Sequence, residues 1–118
     1  MKRLVVNVLQ HKTAGEFLKR AGEWLERAEA ENNLILGVSK YFEINEGPTD
    51  VNPYFLTVED GMLLGAALMT PPRHLIISRM PDPALMALTD YFLKEVIAVP
   101  GVVGPKSMAQ QFANPLEE

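Results

Sequence analysis

The sequence contains no cysteine. Disulfides, thiolate nucleophiles and cysteine-ligated metals are therefore excluded, and the composition fits a reducing, cytoplasmic setting. Histidine is nearly absent too. His11 and His74 are the only two, they lie far apart, and they form no recognisable metal-ligand spacing, so no metal is expected. Basic charge is in deficit, with 11 Lys and Arg against 15 Asp and Glu, a net −4. Nucleic-acid backbones and anionic membranes call for clustered Lys and Arg, so neither is expected as a partner. Long hydrophobic runs are missing. The stretch from Leu4 to Leu9 is interrupted by Asn7 and is too short for a secretory core segment. Nothing approaches the roughly 20 apolar residues of a membrane-spanning helix.

What remains is an ordinary globular composition: 118 residues, 47% hydrophobic and 22% charged. That length suits one domain with one modest core, expected over residues 1–113 with a tail at 114–118. Arg3–Leu9 is rich in Val and Leu and reads as a strand. Thr13 with Glu16 three residues on has the form of a capping box. Behind it Phe17, Leu18, Ala21, Trp24, Leu25 and Ala28 recur at helical spacing, predicting an amphipathic helix from Ala14 to Glu29 with Trp24 as a core anchor. Glu16–Arg20 and Glu23–Arg27 are spaced as solvated pairs on its wet face. Asn32 or Asn33 can cap a second helix, Leu34–Ile44. Gly37 inside it costs about 1 kcal/mol against alanine and predicts close packing on a neighbour. Asn45–Pro53 is a loop. Asp60-Gly61 between the apolar runs Tyr54–Glu59 and Met62–Thr70 is a strong hairpin signal. Thr70-Pro71-Pro72 ends the second strand of that hairpin. His74–Ser78 predicts a third strand, antiparallel to the second, and Ala84–Ala98 a helix. Val102-Val103 is short enough to make only a brief strand, and Pro105 opens a last helix to Ala113. The class is α/β of the α+β kind, a mainly antiparallel sheet flanked by helices in the order β-α-α-β-β-β-α-β-α.

Three stretches sharpen that order. ENNLILGV (Glu31–Val38), YFLTVEDGMLLGAALMTPP (Tyr54–Pro72) and VPGVVGP (Val99–Pro105), followed by QFA (Gln111–Ala113), resemble the N-terminal half of a bacterial group of two-part GNAT-family N-acetyltransferases. The resemblance implies a GNAT-like unit ahead of a catalytic GNAT domain in the same polypeptide. It also implies that the catalytic domain holds acetyl-CoA on an Arg/Gln-x-x-Gly-x-Gly/Ala loop and transfers the acetyl group to an amine. A short Val102–Val103 strand in want of neighbours suits one part of a larger protein. On this reading the present chain is inactive alone. The alternative is a non-enzymatic module used for homodimerisation or for binding a small ligand.

The pyrophosphate loop of that family would follow His74–Ser78, where this sequence reads SRMPDP. No glycine falls between Gly65 and Gly101. Pro81 and Pro83 remove two N–H donors. Asp82 as N-cap, with Pro83 first in the helix, would occupy the remaining donors and repel a phosphate. Arg79 alone matches the motif, so no cofactor is expected on this chain. GVVGPKS (Gly101–Ser107) lacks the glycine before Lys106 that a P-loop needs, and Lys106 is left as a weak anion contact at a helix start. Arg73 and His74, after the double proline, are candidates for a substrate or interface contact. Ser39, Ser78 and Ser107 sit in no nucleophile motif. Glu43, Glu46, Glu59 and Asp90 are expected on the surface, and the methionines are expected as core filler. No catalytic residue stands out.

Overall fold

The computed structural model describes residues 5–45, 52–106 and 108–110. Eight elements follow one another: β1 (Asn7–His11), α1 (Ala14–Glu26), α2 (Glu29–Ile44), β2 (Tyr54–Glu59), β3 (Leu63–Met69), β4 (Leu75–Ile77), α3 (Asp82–Lys94) and β5 (Val102–Val103). A helical turn then opens at 106, with the Ala109 N–H on the Pro105 carbonyl. The order matches the expectation. Positions 111–113 of the last expected helix, the 114–118 tail, the Arg3–Leu4 start of the first strand and most of the 45–53 loop lie outside the described residues.

The five strands lie in chain order, β1-β2-β3-β4-β5. The first three neighbouring pairs are antiparallel and β4–β5 is parallel, with Leu75 opposite Val102 and Ile76 opposite Val103. Gly61, at φ 98°, takes the left-handed turn between β2 and β3 that a side chain would strain. The register slips by one residue between Val58 and Glu59, which leaves Leu64 as the extra residue of a β-bulge.

Side chains alternate across the sheet. Leu56, Val58, Ala67, Met69, Leu75 and Ile77 bury one face against Leu85, Leu88 and Phe92 of α3. Phe55, Ala66 and Leu68 bury the other against Phe17, Ala21 and Leu25 of α1 and Ile35 of α2. Phe17 packs on Phe55 at 5.7 Å between ring centres. Tyr91 on α3 ties back to β1, its hydroxyl 3.3 Å from Gln10 Oε1.

Several local expectations are corrected. Among the described residues the first strand begins at Asn7, leaving Val5 and Val6 outside it, and reaches His11, opposite Phe55 of β2. The first helix stops at Glu26 and the second starts at Glu29. Asn32 is therefore no cap. It lies buried inside α2 and its Nδ2 donates to the Leu25 carbonyl at the end of α1, 3.2 Å away. Thr13 does cap α1, its Oγ1 accepting from the Glu16 N–H, but the Glu16 carboxylate accepts from Lys12 N–H. Trp24 is only half-buried. Met69 and Met80 fill core, whereas Met62 and Met86 are exposed. Gly37 touches nothing: a β-carbon there would meet no atom within 4 Å.

Candidate functional site

Three hollows line up along one edge of α2. The first, about 510 Å³, has Trp24, Arg27, Asn32, Arg79 and Met80 in its wall. The second, about 350 Å³, lies between α2 and the β4–β5 pair, against Ile76, Ile77, Val103 and Gly104. The third, about 670 Å³, lies between α2 and the Thr70–Arg73 turn. Neighbours share walls: Glu31 and Arg79 border the first two, Asn33 and Leu34 the last two. The Arg79 guanidinium reaches Glu31 at 3.0 Å and so stands as a partition between the first two hollows. Both partners are substantially exposed, which makes this a weak and adjustable link.

The β4–α3 junction forms the inner wall of the first hollow, and its chemistry is closed. Ser78 is buried; its hydroxyl accepts from the Ala66 N–H and donates to the Arg79 carbonyl. Met80 is buried and plugs the space over Gly65, where an added β-carbon would come within 2.8 Å of it. The cap of α3 is Pro81, not Asp82 as the sequence suggested, and no side chain caps the helix. Asp82 and Pro83 are instead its first two residues. Proline at position 83 has no N–H, and the Ala84 and Leu85 N–H groups both bond to the Pro81 carbonyl. A coenzyme pyrophosphate needs a fan of free amides. This junction does not fit one, for a different local reason from the carboxylate cap that the sequence implied.

Arg73, His74 and Lys106 are not brought together. Arg73 lines the third hollow. His74 is exposed and its ring lies over Gly101, whose missing side chain makes room for it: a β-carbon there would come within 2.9 Å of the ring. Lys106 is exposed on the helical turn after β5. No group of three His, Asp or Glu side chains able to hold a metal occurs among the described residues. None of their helices is long and apolar enough to cross a membrane.

The sequence missed the strongest polar cluster. Glu59, expected on the surface, is 8% exposed, on the sheet face under α1. Arg20 donates to both its oxygens, the shortest contact being 2.6 Å from Nη2 to Oε1. The expected Glu16–Arg20 pair therefore gives way to Arg20–Glu59, and no Glu23–Arg27 pair forms among the described residues. Thr57 donates its hydroxyl proton to Glu59 Oε2 at 2.6 Å. With that proton committed, Thr57 Oγ1 can only accept from His11 Nε2, 2.8 Å away, which fixes the proton of neutral His11 on Nε2. Burial alone would raise the Glu59 pKa, but hydrogen bonds from Arg20 and Thr57 and the Arg20 charge hold it below the ordinary carboxylate value. Burial lowers the His11 pKa, against the nearby Glu59 and Glu16 charges that would raise it. Alternation in Phe55-Leu56-Thr57-Val58-Glu59 was the available signal. It puts Thr57 and Glu59 on the same face as Phe55, and Phe55 is core. The cluster faces none of the three hollows, so it serves to lock α1 onto β2.

Comparison of the chain with protein-family profiles, with curated proteins and with solved structures returned no match.

Proposed function

We propose that this chain is the N-terminal GNAT-like part of an N-acetyltransferase. In this reading it contributes the groove along α2 to the acceptor-amine side, and a catalytic GNAT domain of the same polypeptide holds acetyl-CoA. The three quoted stretches carry the family resemblance, and the element order agrees with the order that resemblance implies. One observation supports this division of labour. At the β4–α3 junction Met80 occupies the space over Gly65 and the Pro81 carbonyl occupies the first helical amides. This crowding disfavours a diphosphate, and in this reading the coenzyme is held by the catalytic domain. Within this chain the groove offers walls of Trp24, Leu34 and Tyr41 with Glu31, Asn32 and Arg79 between them, a mixture suited to orienting an amine-bearing molecule.

Two measurements test this. Calorimetric titration of acetyl-CoA into the chain is expected to give no heat of binding, and micromolar affinity would overturn the division of labour. A polypeptide extended along the coding frame is expected to release CoA in the presence of acetyl-CoA and a panel of primary amines. If the frame ends at Glu118, or if the extension lacks an Arg/Gln-x-x-Gly-x-Gly/Ala turn, the second reading takes over. That reading is a binding or dimerisation module, and the exposed Leu34, Tyr41 and Ile44 on α2 favour it.

A further inference from the structure

Gly37 is the odd residue of α2. Glycine in a helix interior is less stable than alanine, and here no neighbour packs against the position. Its missing side chain has one visible consequence, which is to deepen the third and largest hollow. Apolar groups form the walls: Val38, Tyr41 and Phe42 from α2, Pro71 and Pro72 from the turn. Tyr41 and Phe42 meet edge to face, 5.5 Å apart. The one charge on the wall is Arg73. The ion pairs among the described residues use Arg20, Lys40 and Arg79, and none uses Arg73. A guanidinium without a counter-ion among the described residues, at the mouth of an aromatic hollow, complements a molecule with an apolar body and a single carboxylate.

We infer that the hollow between α2 and Thr70–Arg73 binds a small organic carboxylate. Its aromatic or branched aliphatic body lies over Gly37 and against Tyr41 and Phe42, and Arg73 takes the carboxylate through its two-pronged fork. With no second cation on the wall, a monocarboxylate suits the site better than a phosphate ester. This hollow is one end of the groove along α2; the inference rests on its lining alone and holds with or without acetyl transfer.

The test is a titration of the 15N-labelled chain with 3-phenylpropionate, with its neutral amide 3-phenylpropanamide, and with acetate, followed by backbone amide shifts. Phenylpropionate is expected to move the Gly37, Tyr41 and Arg73 signals saturably, at least about fivefold more tightly than the amide, because a charge-assisted contact is added to the same apolar one. Acetate is expected to move none of them. Arg73→Gln is expected to erase the preference for the anion while leaving the amide's weaker binding in place. Gly37→Leu is expected to abolish saturable binding while raising Tm, which separates loss of the hollow from loss of the fold. No saturable shift with millimolar phenylpropionate, equal affinity for the acid and its amide, or unchanged discrimination in Arg73→Gln would each overturn the assignment.

Discussion

The sheet face under α3 and the face under α1 and α2 share the same strands but bury different chemistry. Under α3 the buried groups are hydrocarbon and methionine, and Thr89 on α3 itself bonds back to the Leu85 carbonyl. No ionisable side chain is buried there among the described residues. The opposite face carries Glu59, Thr57 and His11 in one chain of hydrogen bonds, and it opens into the groove. The first face holds the molecule together by area and packing density. The second adds a directional polar cluster to its own apolar core and borders the groove.

The largest blow to this arrangement comes from the dry face. Phe92→Ala removes a fully buried ring beside Leu56 and Leu88 and is expected to cost about 3–5 kcal/mol, measured by urea denaturation. That is a large share of the roughly 5–15 kcal/mol available to a domain. Glu59→Gln comes next. It removes the ion pair and leaves the Arg20 charge uncompensated, for about 1–3 kcal/mol; the Arg20 side chain is 42% exposed, so water absorbs part of the loss.

The pH profile then separates the two faces, since both ionisable groups of interest sit on one of them. The folded Glu59 pKa lies below its ordinary 4.5. The unfolded chain therefore binds the proton first, and this contribution is complete above about pH 4.5 and is lost as pH falls through the folded value. The folded His11 pKa lies below its ordinary 6.5, which has the same sign. Stability is expected to decline as pH drops below about 6.5 and again below about 4.5. In Glu59→Gln the lower step shrinks while a His11 step remains. Smallest is Lys40→Ala. Its partner Glu26 is half-exposed at 3.5 Å, and the change is expected to stay within about 0.5 kcal/mol. A loss as large as that of Glu59→Gln would dissolve the distinction between buried and surface polar contacts drawn here.

Strands and hairpin were legible because their signals are local. Alternation, Asp60-Gly61 and the double proline depend on residues within a few positions of each other. Helix boundaries were less so. The Glu26–Glu29 break carries neither glycine nor proline, and Asn32 looked like a cap because its long-range bond to the Leu25 carbonyl is invisible in sequence. At the β4–α3 junction the missing glycines and added prolines were plain in the sequence. Its packing was hidden, because Met80 over Gly65 is a contact across the sheet. Arg20–Glu59 escaped for the same reason: helical spacing offered Arg20 a nearer partner, and tertiary burial supplied a better one.

The meeting of Gly65 and Met80 also constrains descent. A β-carbon fits at one of these two positions but not at both, since the one built at 65 already crowds the Met80 Cβ itself at 2.8 Å. Shortening Met80 to alanine would not relieve the conflict. Lineages that acquire a side chain at 65 are left with two routes: moving the glycine to position 80, or shifting the strand away from the loop. The two sites should therefore drift as a linked pair, with the glycine trading places between them.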